Sequence, residues 1–181
     1  MTANEREVIL KNLADSRERL LRLAQGLSKT QLAYQPAPGR WSVAENVEHL
    51  AVVETGILGM VQKGLEAPAD SSKRSAMDDP GLIADVAGRI TRFPAPEFLA
   101  PTGRWRDDEL WPQFDAARKR TQEFAAATSA DLRAHFLPHP IMGELDCYQW
   151  LLLMAAHCDR HCTQIEEVKA SAGFPRAAAA R

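Results

Sequence analysis

The chain has no apolar run approaching the roughly 20 residues that a membrane-spanning helix needs, so no membrane association is expected. It has little cysteine. Cys147, Cys158 and Cys162 are an odd number clustered late in the chain, which does not form a disulfide framework and points to reduced thiols. Charge of one sign is also missing. Lys and Arg number 22 against 24 Asp and Glu, a net charge of −2 with a pI near 6.2. Without a basic excess there is nothing to neutralise a phosphate backbone, and no nucleic-acid partner is expected. The sequence shows no glycine-rich phosphate loop, no internal repeat and no strand-length alternation of apolar and polar residues. The opening residues, Met1 to Glu7, are polar and acidic with no secretory h-region, so a cytoplasmic location is expected.

What the chain does have is helical periodicity. Its 181 residues, 45% hydrophobic and 25% charged, suit one globular domain over residues 1–175 with a frayed tail at 176–181. Four long segments place apolar residues at spacings of three, four or seven. The first spans about Asn4 to Leu27, with Ile9, Leu13, Leu20 and Leu23 on one stripe, and Gly26 and Ser28 end it. The second opens on Ser42-Val43-Ala44-Glu45, a capping box in which Ser42 and Glu45 satisfy each other's backbone amides, and runs to about Lys63. The third spans about Asp107 to Thr128, with three acidic residues favouring its N-terminus. The fourth spans about Asp146 to Ala172 and stops at Gly173 and Pro175. Together they predict an all-α four-helix bundle. Residues 66–104 are too long for a turn and form the crossover between helices two and three, or a lid. Within them Asp79-Pro80 reads as a cap and first helical position of a short helix to about Arg92, broken by Phe93-Pro94-Ala95-Pro96.

Five histidines carry the chemistry, and two pairs share four-residue spacing. His157 and His161 lie inside the fourth helix. Four residues turn a helix by about 400°, so both rings emerge on one side, one turn apart, within reach of one ion. They continue the apolar stripe of Trp150, Met154, Ile165 and Val168. Two buried imidazoles in register are most simply explained by a shared metal ion, since each would otherwise need its own polar partners. His135 and His139 lack this geometry, because Pro138 and Pro140 break any helix and leave a loop. His49 falls in step with Val53, Ile57 and Met60 on the second helix and faces the same core. Three histidines leave a fourth coordination position for water or substrate, the catalytic pattern. Cys158 and Cys162 repeat the spacing but point about 100° away from the histidines, toward a neighbouring helix. Glu45, one turn before His49, either orients that ring or only completes the capping box. Arg104 and Arg106, before the third helix, are either solvated or an anion contact. Trp105, Trp111 and Trp150 are expected to anchor the core, with Trp111 a candidate for the pocket wall.

Trp41-Ser42-Val43-Ala44-Glu45-Asn46-Val47-Glu48-His49-Leu50, His139-Pro140-Ile141-Met142-Gly143-Glu144-Leu145, and His157-Cys158-Asp159-Arg160-His161-Cys162-Thr163-Gln164 resemble, in order, the motifs of the DinB-like (YfiT-like) metal-binding four-helix bundle superfamily. The resemblance implies an up-up-down-down bundle, often a homodimer. It implies a divalent ion, zinc or nickel, on His49, His157 and His161, with Gln164, one turn beyond His161, supporting the ligands from outside; Glu45 is a second such candidate from its spacing to His49 alone. It also implies a metal-dependent S-transferase or related enzyme, acting on a small-molecule substrate with a low-molecular-weight thiol as cosubstrate. The alternative is a non-catalytic stress-response or interaction protein with a structural metal. The crossover at 66–104 carries none of the family's motifs, so the substrate is not indicated.

Overall fold

The computed structural model describes residues 1–88 and 95–176. In chain order it contains α1 (Ala3–Ala24), the single turn α2 (Lys29–Leu32), α3 (Val43–Gly64), α4 (Asp79–Gly88), α5 (Asp107–Ala127), a hairpin of β1 (Phe136–His139) and β2 (Gly143–Asp146), and α6 (Cys147–Ala170). Helices α1, α3, α5 and α6 are the four-helix bundle. Each begins where the sequence supplies a cap. The side chains of Thr2, Ser42 and Asp146 accept from the amides of Glu5, Glu45 and Gln149, and Glu5 and Glu45 return the bond to the cap residue's own amide. In α5 the Glu109 carboxylate accepts from the Arg106 amide in an acidic first turn.

The helix directions differ from the expected up-up-down-down order. Tyr148 Oη donates to the Glu5 carbonyl, Arg19 bonds Asp159 and Glu166, and Lys169 Nζ donates to the Leu23 carbonyl, so α1 and α6 run parallel. His161 meets Asn46 while His157 meets His49, so α3 is antiparallel to α6. Arg6 binds the carbonyls of Ala126 and Thr128, and Arg17 binds Asp115, so α5 is antiparallel to α1. The order is therefore up-down-down-up. The link through α2 turns the chain back at the same end of the bundle. The crossover, by contrast, is long enough to return it to the same end of the bundle before α5 starts.

Two further differences are local. The segment expected to be a plain loop around His135 and His139 forms the antiparallel pair β1–β2, in register Phe136 with Asp146 and His139 with Gly143. Prolines 138 and 140 preclude a helix, and Gly143 supplies the positive φ of 73° that starts the return strand. The cap of α4 is Asp78, whose Oδ1 accepts from the Gly81 amide, and Asp79 is instead drawn into a bridge with Arg133. Of the short helix expected to reach Arg92, the part beyond Gly88, and its break at Phe93-Pro94, lie outside the described residues, as does the tail from Ala177.

The core divides into two apolar clusters. One, around Leu13, Val61, Leu82 and Leu151, lies toward the hairpin. The other, around Leu20, Val47, Phe114 and Ile165, lies toward the α6 C-terminus. At their junction Arg118, fully buried, grips Glu54 through Nε at 2.6 Å and Nη2 at 2.8 Å, and its remaining N–H groups donate to the Leu13 carbonyl and Ser16 Oγ. Trp150 is buried in the first cluster, Trp105 only packs against the edge of the second, and Trp111 lies against Phe114 beneath Arg17.

Candidate metal centre

Helices α3 and α6 face each other, and their inward stripes carry His49, His157 and His161 to one point. One ligand nitrogen of each lies within 4.8 Å of the others. His157 Nε2 is 3.4 Å from His49 Nε2 and 3.1 Å from His161 Nε2. Two nitrogens bound at about 2.0–2.1 Å to a tetrahedral ion lie roughly 3.3 Å apart, so the spacing suits a first-row divalent metal.

The outer nitrogens decide the tautomers. His49 Nδ1 is 2.8 Å from the carbonyl of Leu99, which can only accept, so this nitrogen carries the proton and Nε2 presents a lone pair. His161 Nδ1 is 2.8 Å from Asn46 Oδ1. Asn46 Nδ2 donates to the Ser42 carbonyl at 2.8 Å, which sets the amide so that its oxygen faces the ring. His161 Nε2 therefore also offers a lone pair. His157 Nε2 holds at most one proton for these two acceptors. The cluster is thus one donor short, a deficit that a cation bound at that point would meet.

Electrostatics keep the rings neutral. Burial pushes the His157 pKa down to about 3, aided by the neighbouring His49, Arg160 and His139. Burial, then His157 and His49, holds His161 well below the ordinary histidine range, with Gln164 hydrogen-bonding in opposition. His49 is lowered by burial against the pull of the Leu99 carbonyl. Neutral imidazole is the form that ligates a metal.

This arrangement carries a pH dependence. Below about pH 6.5 the unfolded chain takes up protons on these histidines that the folded, metal-free protein refuses. All three folded pKa values lie below the unfolded ones, so the stability is present above about pH 6.5 and falls away below it, for His157 down to about pH 3. In its window His157 contributes up to about 1.4 kcal/mol per pH unit. Thermal unfolding of the metal-free protein should show a midpoint that drops steadily from pH 7 to pH 5, with a shallower slope in His157→Gln. A flat profile would contradict the neutral triad.

Glu45 does not reach His49. Its carboxylate takes the Ser42 amide at 2.6 Å and the Gln35 side chain at 2.9 Å, completing the capping box, and the His49 nitrogen it would have oriented is taken by Leu99. Cys158 and Cys162 are fully buried on the α1 side of α6, Cys158 lying 3.5 Å from the Ser16 carbonyl, so neither joins the histidines. His139 stays outside the triad. Its Nδ1 accepts from the amides of Ile141 and Met142, tying the hairpin turn, and its ring packs on Trp150 at 5.2 Å. Arg104 binds Glu48 at 2.9 Å, and Arg106 is exposed beside Asp108 and Glu109.

Three supporting elements escaped the sequence reading. Asn46, one turn before His49, is the His161 partner, and its spacing on the helix is the signal that could have found it. Trp41, named in the sequence only as the first residue of the motif, stacks over His161 at 5.9 Å and lies 4.8 Å from His49, walling the site. Leu99 contributes through a backbone carbonyl, which no side-chain pattern reveals.

Comparison with known proteins places this geometry. The profile of the DinB superfamily matches residues 12–165. The uncharacterized protein YuaE of Bacillus subtilis (strain 168) is 25% identical over 146 residues, 80% of this chain and 87% of that protein. Among solved structures, YfiT from Bacillus subtilis, described as a probable metal-dependent hydrolase with an unusual four-helix bundle topology, superposes with a TM-score of 0.65 at 14% identity, covering 97% of this chain and 91% of that one. TT2238, described as a four-helix bundle protein, gives 0.59 at 21% identity over 90% and 98% of the two chains. At these identities the two structures speak for the fold.

Proposed function

The chain belongs to the DinB superfamily, and from that premise and the three converging imidazoles we propose that it is a metal-dependent enzyme acting on small molecules, with one divalent ion, zinc or nickel, on His49, His157 and His161. The observation that carries the reading is the donor set. Three neutral Nε2 atoms face one point, and among the described residues no cysteine or carboxylate completes the group. That pattern leaves a coordination position open, as catalytic sites do and closed structural sites do not.

When bound, the ion supplies Lewis acidity that makes a nucleophile of a ligand at the open position near neutral pH. The chain does the rest. Leu99 and Asn46 hold two ligand rings in the binding tautomer, and Trp41 covers the His49–His161 side. His49 and His161 are buried whereas His157 is partly exposed, so substrate approaches from the His157 side. The nucleophile we favour is a low-molecular-weight thiol, which makes the reaction an S-transfer to an electrophilic small molecule. Hydrolysis, with water in the thiol's place, is the second reading, favoured by the description of YfiT.

Turnover with metal distinguishes these readings. Protein loaded with zinc or nickel is assayed for thiol conjugation to an aryl halide and for hydrolysis of an activated ester, before and after chelator treatment. Conjugation that disappears on stripping and returns with metal supports the transferase. Ester hydrolysis alone supports the hydrolase. Stoichiometric metal with neither activity would turn the reading to a structural ion.

A homodimer belongs to the same proposal. Light scattering should give twice the 20.0 kDa chain mass, and a mass of one chain would remove that part.

A further inference from the structure

The described part of the crossover nearest the site is fastened in an unusual way. Glu48, adjacent to His49 on α3, is 2% exposed, yet its partners come from the crossover rather than from the bundle. Its Oε1 accepts from the Thr102 amide at 2.7 Å and from Arg104 Nε at 2.9 Å, and its Oε2 accepts from the Gly103 amide at 3.0 Å. Arg104 closes the turn by donating to the Ala100 carbonyl at 3.2 Å. Three residues before this clamp, the 3-10 turn Glu97–Leu99 ends with the carbonyl that holds His49 Nδ1 at 2.8 Å. Adjacent residues of α3 thus grip one short segment at two points: Glu48 anchors it, and His49 receives its carbonyl.

We propose that Glu48 is a positioning residue for the metal centre, and that docking of residues 99–104 onto α3 is thermodynamically coupled to metal binding by His49. The inference rests on the metal reading above. With the segment docked, the His49 proton is held on Nδ1 and the Nε2 lone pair faces the other two ligands. With it released, the ring is free to rotate and to place its proton on either nitrogen, and both changes cost affinity. Partners of metal-ligating histidines are typically worth about 10–100-fold in affinity. Linkage makes the effect mutual: whatever factor docking adds to metal affinity, metal adds to docking. A crossover without any family motif thereby gains control over a site whose ligands lie elsewhere.

The test measures zinc affinity by chelator competition in wild-type, Glu48→Ala and Arg104→Ala protein, together with amide hydrogen exchange at Thr102 and Gly103 with and without zinc. Glu48→Ala should bind zinc about 10–100-fold more weakly. Arg104→Ala, which removes the part-buried bond to Glu48 and the exposed one to the Ala100 carbonyl, should lose several-fold. Zinc should slow exchange at both amides in the wild type and not in Glu48→Ala. In the metal-free proteins, nitrogen NMR of His49 should show Nδ1–H in the wild type and a mixture of tautomers in Glu48→Ala. If Glu48→Ala fails to fold, Arg104→Ala carries the affinity comparison. Wild-type binding with both variants within twofold of it overturns the coupling and leaves the metal reading standing. Absence of zinc and nickel binding in the wild type overturns the metal reading and the coupling with it, whereas an unchanged His49 tautomer in Glu48→Ala overturns the positioning role alone.

Discussion

Replacing His157 with alanine should abolish stoichiometric metal binding while leaving the bundle folded. Protein purified without an affinity tag and incubated with zinc or nickel is expected to carry about one ion per chain by elemental analysis, and His157→Ala none. Four-ligand zinc sites bind with about 10–16 kcal/mol, or roughly 3 kcal/mol per ligand, so losing one of three imidazoles costs more than a hundredfold. His157 is the best residue to remove. It is the least buried of the three residues, and its Nε2 stands between the other two at 3.4 and 3.1 Å. The buried His161 would be a harsher choice, because its loss also strands Asn46 Oδ1. Cys158→Ala is the control. The cysteine sits one residue along the same helix but faces α1, so its variant should retain the ion. Metal in both His157→Ala and the wild type would show that the site lies elsewhere. Metal in neither would remove the ion from the proposal altogether.

The second large effect lies deeper in the bundle. Glu54→Ala should destabilise the protein by about 3–5 kcal/mol, because it leaves the Arg118 guanidinium buried without its counter-charge. For a chain of this size that corresponds to a fall in thermal midpoint of about 10–15 °C. Arg118 has no exposed surface to retreat to, and Glu54 is 3% exposed. Burial works to lower the Arg118 pKa, but Glu54 and the neighbouring Cys158 more than offset it, so the guanidinium stays charged. The double variant Glu54→Leu with Arg118→Met should recover most of the loss, since a well-packed apolar pair is often as stable as a buried ion pair. Failure of the double variant to recover would mean that the bonds from Arg118 to the Leu13 carbonyl and Ser16 contribute as much as the ion pair, and that this layer sets the register of α1 against α5. Urea unfolding of the single and double variants separates the two outcomes.

Much of this molecule is written in short-range pattern. The capping box at Ser42, the acidic start of α5 and the stops near Gly26 and Gly173 are local signals, and the helices begin and end close to where those signals lie. The histidine pair on α6 is equally local, because four-residue spacing and the neighbouring apolar stripe set where both rings point. Proline at 138 and 140 likewise separated His135 and His139 from that pair. Other features depend on distant parts of the chain meeting. Helix direction follows from which helix faces pack together, and the crossover returns the chain so that α5 lies parallel to α3. The hairpin has strands of four residues, too short for alternation to register, and exists because it pairs with itself and packs Leu137 against Gly64. Glu45 was ambiguous in sequence because a carboxylate can serve a helix end or a ring, and the crossover settled it by bringing the Leu99 carbonyl to His49 first. By itself, then, the sequence determined the helices, the inward stripes and the three imidazoles, since helical geometry relates residues within a few turns. The tertiary structure alone decided which groups hold those imidazoles, because Asn46, Trp41 and the Leu99 carbonyl reach them only when α3, α6 and the crossover close around one point.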